Sequence, residues 1–145
     1  MTRRYLLDTT LLIDHGRGTR EGAETLARLF EEAGDLYTCD IVTCEALSKG
    51  DADERRSIAR LLDALEYVAL DPDGARWAGE QRRTLAEAGR RHPTADALIA
   101  ATAWRLGATV VTRNAADFVG FDAPVLGYGD PGPPAKVGTK RGSTR

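Results

Sequence analysis

Short apolar runs alternate along this chain with longer amphipathic segments, and this alternation constrains the fold more than any other feature. Four runs predict strands at residues 5–7, 36–39, 67–70 and 109–112, and residues 125–126 suggest the start of a fifth. Each run is continuously apolar instead of alternating with polar residues, which is typical of strands buried on both faces. The sequence therefore predicts an α/β protein with a central parallel sheet of about four or five strands.

The segments between these runs have the apolar spacing of amphipathic helices. Helices are predicted over about residues 21–33, 40–48, 53–65, from the turn at 71–74 to 88, and 94–106. In the last of these, Thr94 is placed as the N-cap and Gly107 just beyond the C-terminal end, which are positions that these residue types favour. The same helix is apolar all round, which predicts that it is buried.

The chain has 145 residues, the length of a single domain, and its composition changes near the end. Residues 127–145 are rich in Gly and Pro and lack periodicity, so residues 1–126 are predicted to form the domain and 127–145 a flexible basic tail. Lys and Arg number 20 against 22 Asp and Glu, a net charge of −2. Any contact with nucleic acid must therefore come from a local basic patch.

No feature of the sequence predicts membrane insertion or export. No run approaches the roughly 18 apolar residues that a membrane helix needs, and the first predicted strand begins too early for a signal peptide. Cys39 and Cys44 lack metal-site spacing and are predicted to be small buried residues in a reducing compartment. We therefore expect a cytoplasmic protein that does not associate with a membrane.

Four acidic residues lie just after predicted strands or at the start of a predicted helix. Asp8 and Asp117 follow the first and fourth strands, Glu45 lies in the helix after the second strand, and Asp96 lies in the first turn of the last helix. Ligands of parallel sheets bind beyond the carboxyl ends of the strands. Each acid alone also fits a structural role, such as a helix cap or a solvated turn. Together on one edge they would repel one another, and Mg²⁺ or Mn²⁺ would relieve that repulsion.

Four short motifs contain these acids. They read Leu6-Leu7-Asp8-Thr9-Thr10-Leu11-Leu12-Ile13-Asp14, Thr43-Cys44-Glu45-Ala46, Thr94-Ala95-Asp96-Ala97-Leu98-Ile99-Ala100-Ala101 and Gly107-Ala108-Thr109-Val110-Val111-Thr112-Arg113-Asn114-Ala115-Ala116-Asp117-Phe118. In their residues and in their order along the chain, these motifs resemble those of PIN-domain proteins, specifically the VapC-type toxin ribonucleases of bacterial toxin–antitoxin pairs. The resemblance covers residues 4–126, and its third and fourth motifs together are specific.

The resemblance implies a metal-dependent endoribonuclease with a compact three-layer α/β/α fold and an acidic Mg²⁺ site. The catalytic acids that it implies are Asp8, Glu45, Asp96 and Asp117, of which Asp8, Asp96 and Asp117 would bind the metal. It also implies that the hydroxyls of Thr10 and Thr112 form hydrogen bonds with the acids. Asn114 stands where many relatives have their fourth acid, which leaves that position open between Asn114 and Asp117.

The resemblance also implies three partners: an RNA substrate, a second copy of the chain in a homodimer, and a small antitoxin that inserts into the cleft. Because an acidic site repels phosphate, RNA binding needs basic residues at its rim. Arg113 is the nearest candidate, whereas Arg17, Arg20 and the pairs at 82–83 and 90–91 fit solvated helix faces better. Asp14 lies near a helix end and is predicted to be solvated.

Two other interpretations stay open at this point. A strand followed by Asp-Thr also begins phosphatases of the haloacid-dehalogenase kind, where the Asp is the nucleophile. That chemistry needs a second acid two residues later, where Thr10 stands, and the sequence offers no clear lysine partner. The other interpretation is a non-catalytic PIN-like interaction domain, against which the four intact acids argue.

Overall fold

The computed structural model describes residues 3–32 and 34–129, whose five strands form one parallel sheet. The strands are β1 (Arg4–Leu7), β2 (Asp35–Cys39), β3 (Glu66–Val68), β4 (Thr109–Thr112) and β5 (Val125–Gly127). Their order across the sheet is β3-β2-β1-β4-β5, and every neighbouring pair is parallel. The predicted α/β class and parallel sheet are confirmed.

Six helices and one short 3₁₀ helix connect these strands. The helices are α1 (Thr9–Arg17), α2 (Arg20–Glu31), α3 (Asp40–Leu47), α4 (Ala52–Asp63), α5 (Pro72–Glu87) and α6 (Thr94–Leu106), and the 3₁₀ helix spans Ala115–Phe118. Helix α1 packs against α2, α3 and α4, and α5 packs along α6. These two groups of helices and the sheet make up a three-layer α/β/α arrangement.

The centre of the sheet is fully buried, and the chain reverses its direction of winding there. Leu6, Leu7, Val110 and Val111 have no solvent exposure, as expected for strands covered on both faces. From β1 the chain winds first to β2 and β3 on one side and later to β4 and β5 on the other. The carboxyl ends of β1 and β4 therefore flank the switch point of the sheet, which is where open α/β sheets bind ligands.

Two local predictions are wrong. Pro93, not Thr94, occupies the N-cap position of α6, and no side chain caps the helix there. The ring of Pro93 fixes its φ at −60°, and its extended backbone is the conformation that an N-cap residue adopts. Thr94 is therefore the first residue of the helix. Cys44 is exposed on α3, whereas Cys39 is buried as predicted; both are free thiols. Gly107 ends α6 with φ at 68°, as expected.

The folded unit continues past the predicted boundary at residue 126. Gly127 belongs to β5, and Tyr128 is buried with 6% of its surface exposed. The apolar pair before Gly127 pairs with β4 and carries the chain back into the core, which the Gly-rich composition alone does not reveal. Residues 130–145 of the predicted tail lie outside the described residues. Within residues 3–32 and 34–129, no helix is long and apolar enough to cross a membrane.

Candidate active site

Asp8 is the residue between β1 and α1. Its backbone occupies the N-cap position of α1, but its carboxylate does not cap the helix. Instead, Asp8 Oδ2 accepts hydrogen bonds from Thr112 Oγ1 at 2.7 Å and Thr10 Oγ1 at 3.1 Å. Burial raises the pKa of Asp8, and the two hydroxyls oppose that effect. A buried carboxylate that faces the switch point instead of its own helix is placed for chemistry.

The hydroxyls of Thr10 and Thr112 are oriented by the backbone of the following segment. The N–H of Arg113 donates to Thr10 Oγ1 at 3.1 Å, and the N–H of Asn114 donates to Thr112 Oγ1 at 3.0 Å. A hydroxyl has one hydrogen, so a hydroxyl that accepts a backbone N–H keeps that hydrogen for another acceptor. Both hydrogens are therefore available to Asp8, as the resemblance implied for these two residues.

Glu45 approaches the same edge from α3. Its Oε1 accepts a hydrogen bond from Thr9 Oγ1 at 2.7 Å, and its side chain is half-buried. Thr9 is the first residue of α1 and follows Asp8 directly, so the bond fixes Glu45 beside the end of β1. Sequence reasoning did not single out Thr9; its place in the first motif, next to Asp8, is the signal that could have found it.

Asp96 shows most clearly that the acids share one site. It lies in the first turn of α6, and its pKa is raised to about 8. Burial contributes most to this shift, followed by the negative charges of Asp8, Asp117 and Glu45. The structure thus brings all four predicted acids into one electrostatic field, where each ionised carboxylate opposes the ionisation of Asp96.

Asp117 and Asn114 both lie at the start of the segment after β4. Asp117 is in the 3₁₀ helix, and its N–H donates to the carbonyl of Asn114 at 2.9 Å. The charge of Asp117 acts on Asp96, while the backbone of Asn114 holds Thr112. The carboxylate of Asp117 is therefore part of the acidic cluster. Which of Asp117 and Asn114 would bind the metal stays open, as it was from the sequence.

The chemistry of the acidic cluster suits a hard divalent cation. Its donors are carboxylate oxygens and hydroxyls, with neither His nor Cys among them, which favours Mg²⁺ or Mn²⁺ over Zn²⁺. In the part of the chain that the structure describes, no three Asp, Glu, His or Cys side chains converge closely enough to hold a metal as they stand. The repulsion on Asp96 is nevertheless the kind that a bound cation relieves.

A second polar group, which sequence reasoning missed, lies beside the acids. Asp14 was predicted to be solvated but is only 7% exposed, because Tyr128 and Arg113 cover it. The hydroxyl of Tyr128 donates to Asp14 Oδ2 at 2.7 Å. Asp14 lies four residues after Thr10 on α1, a spacing that puts both on one helix face and could have indicated its position.

Arg113, predicted to contact RNA, is engaged within the protein. Its Nε lies 3.0 Å from Asp14 Oδ2, and its Nη2 lies 3.6 Å from Glu21 Oε1. Its guanidinium carbon is 5.7 Å from the centre of the Tyr128 ring. The side chain is 22% exposed, so an RNA contact by Arg113 remains a prediction that this pairing makes less direct. Arg90 and Arg91, in the loop before α6, are exposed.

The fold and the acidic cluster can be compared with those of known protein families. The PIN domain profile matches residues 5–122, most of the described chain. The chain belongs to the PIN domain family. The match is to this family and not to the phosphatases that the strand–Asp–Thr start also allowed.

Individual relatives agree with this assignment. The chain is 30% identical over 116 residues to ribonuclease VapC19 of Mycobacterium tuberculosis, across 80% of this chain and 93% of that protein. Its fold is similar to that of VapBC2 from Rickettsia felis bound to a promoter DNA fragment, with a TM-score of 0.74, 22% identity, and coverage of 87% and 99% of the two chains. VapBC-5 of M. tuberculosis, from the VapBC family of toxin–antitoxin systems, has a TM-score of 0.58 at 27% identity, with coverage of 85% and 95%.

Proposed function

We propose that this protein is a cytoplasmic, metal-dependent endoribonuclease that acts as the toxin of a toxin–antitoxin pair. The observation that carries the proposal is the shared field of Asp8, Glu45, Asp96 and Asp117 at the switch point of a PIN-domain sheet. The similarity to ribonuclease VapC19 supports RNA as the substrate.

Each residue of the site has a definable task in phosphodiester hydrolysis. Asp8, Asp96 and Asp117 would hold Mg²⁺ or Mn²⁺, which when bound would stabilise negative charge on the scissile phosphate and lower the pKa of the attacking water. Glu45, oriented by Thr9, would accept the proton that this water releases. Thr10 and Thr112 keep Asp8 oriented by donating hydrogen bonds to its Oδ2.

Metal removal should stop the reaction. Purified protein is expected to cleave short labelled RNA of random sequence with Mg²⁺ or Mn²⁺ and to lose that activity in EDTA, because the acids then repel both one another and the phosphate. Gel separation of the products measures the cleavage. Protein carrying Asp8→Asn and purified in parallel controls for contaminating nuclease.

Two results would count against this mechanism. Full cleavage in EDTA would contradict the metal role. Absence of cleavage with either metal, by protein freed of any bound partner, would instead favour the non-catalytic PIN-like interaction domain.

We further propose that the protein forms a homodimer and is inhibited by a small antitoxin. VapBC-5 belongs to the VapBC family of toxin–antitoxin systems, which supports a partner of this kind. An acidic cleft is blocked most simply by a peptide that offers an arginine to Asp8 and Asp96 while apolar residues cover the neighbouring surface.

Co-expression tests the partner. The product of an adjacent small reading frame is expected to restore growth and to co-purify, and light scattering should give the mass of two copies of this chain plus antitoxin. Reversing the charge of the antitoxin arginine should release ribonuclease activity before it abolishes binding, because the apolar contacts persist. Unchanged inhibition after that substitution would contradict blockage of the cleft by arginine, and a mass with one copy of this chain would contradict the homodimer.

A further inference from the structure

Asp14, Arg113 and Tyr128 form a compact polar group in which Asp14 and Tyr128 are buried and Arg113 is partly exposed. Asp14 Oδ2 accepts a hydrogen bond from the hydroxyl of Tyr128 at 2.7 Å and forms an ion pair with Arg113, whose Nε lies 3.0 Å away. Asp14 and Tyr128 are 7% and 6% exposed, and the guanidinium of Arg113 lies over the Tyr128 ring. Burying a carboxylate is unfavourable unless it is paired, so this arrangement is a specific one and not a byproduct of folding.

Arg113 and Tyr128 are joined through their backbone N–H groups to the two threonines that hold Asp8. The N–H of Arg113 donates to Thr10 Oγ1 at 3.1 Å, and the N–H of Tyr128 donates to the carbonyl of Thr112 at 3.1 Å. Thr10 precedes Asp14 by one helical turn on α1. The group therefore connects α1, the end of β4 and the residue after β5 at the point where Asp8 is held.

We propose that Asp14, Arg113 and Tyr128 are positioning residues for the acidic site. By tying the segment after β4 and the segment after β5 to α1, they set the separation at which Thr10 and Thr112 can both donate to Asp8. This role rests on the proposed ribonuclease function. It also assigns Arg113 to the protein interior and not to the RNA backbone.

Charge balance supports this assignment of Arg113. Its single positive charge faces Asp14 at 3.0 Å and Glu21 at 3.6 Å, so Arg113 and these two carboxylates together have a net negative charge. A phosphate would meet an arginine already neutralised by two carboxylates, and drawing Arg113 towards it would leave the buried Asp14 without its ion-pair partner. The pairing is useful for fixing geometry and poor for attracting RNA.

The chain contains closely matched controls for two of these residues. Tyr5 is also 6% exposed and donates its hydroxyl to a carboxylate, that of Glu32 at 3.0 Å, but it lies in β1 near the opposite edge of the sheet. Arg105, at the end of α6, pairs with Asp71 at 2.7 Å and lies 5.7 Å from the Trp104 ring. Tyr128→Phe is therefore compared with Tyr5→Phe, and Arg113→Gln with Arg105→Gln.

Measurements of kcat, KM, Mn²⁺ affinity and melting temperature distinguish a positioning role from a role in stability alone and from a role in RNA binding. Tyr128→Phe and Arg113→Gln are expected to lower kcat about tenfold, the lower end of what loss of an outer-shell partner costs, with KM and its salt dependence unchanged. Calorimetric titration with Mn²⁺ should show weakened binding in the same two variants. The controls Tyr5→Phe and Arg105→Gln should keep wild-type kcat and Mn²⁺ affinity even where their melting temperatures fall equally.

Two outcomes would overturn the inference. If Arg113→Gln raised KM and reduced its salt dependence at constant kcat, Arg113 would be a phosphate contact. If Tyr128→Phe matched Tyr5→Phe in kcat and Mn²⁺ affinity, the hydroxyl of Tyr128 would serve stability alone. Failure of the ribonuclease proposal looks different, since the wild-type protein would then cleave no RNA.

Discussion

Replacing Asp96 with Asn is expected to abolish RNA cleavage and, in metal-free protein, to raise the melting temperature above that of the wild type at pH 9 but not below about pH 4. The pKa of Asp96 is raised to about 8 in the folded protein, whereas an unfolded Asp titrates near 4. The folded state therefore keeps a proton that the unfolded state releases, so stability falls as the pH rises from about 4 to 8. Asn, like protonated Asp, is uncharged and avoids this loss.

Thermal melts in EDTA across that pH range measure the effect. The two curves should coincide below about pH 4 and diverge progressively up to about pH 8, since 1 kcal/mol moves the melting temperature of a domain of this size by roughly 3–5 °C. Asp73→Asn is the control, because Asp73 is an exposed acid in the first turn of α5. A pH-dependent gap equal to that of Asp73→Asn would show that the cluster does not repel Asp96. Added Mg²⁺ should stabilise the wild type more than the variant.

The second large effect is expected for Asp8→Asn, which should lower the cleavage rate by roughly 10²- to 10³-fold. A metal centre contributes several kcal/mol to transition-state stabilisation, and each 1.4 kcal/mol corresponds to about tenfold in rate. The amide oxygen of Asn can still accept hydrogen bonds from Thr10 and Thr112, so the fold should persist. Cleavage of labelled RNA and relief of growth arrest at matched expression measure the loss.

Asp35→Asn provides the control for Asp8→Asn. Asp35 is the first residue of β2, at the opposite edge of the sheet, and its variant should keep wild-type activity. Full toxicity of the Asp8→Asn protein at matched expression would show that Asp8 is not an essential metal ligand.

The positions of the acids were predictable because parallel strands order them. Continuous apolar runs identify buried strands, and parallel strands place the residues after them at one edge, so Asp8 and Asp117 could be grouped before any coordinates. Asp96 could be added because it begins the buried helix that leads into β4. That the fold continues past residue 126 has a physical reason. Composition reports the average tendency of a segment, whereas the burial of Tyr128 depends on Asp14, which lies 114 positions earlier in the chain.

The expectation that Asp14 is solvated was wrong for the same reason, and the pairing of Asp14 with Arg113 makes an RNA contact by Arg113 less direct. An isolated Asp near a helix end is normally solvated, and an Arg beside an acidic site is normally free for substrate. Each assumption fails when the two side chains find each other, because a paired charge can be buried where a single one cannot. Sequence periodicity describes faces of helices and strands, but it does not show which charged residues from distant segments meet.

The pairing of β1 with β4 has a consequence for the synthesis of the protein. Asp8 is made before Thr112, which holds it from 104 positions later in the chain, and before Asp117, which follows later still. A nascent chain therefore has no nuclease site until almost all of the described domain has left the ribosome.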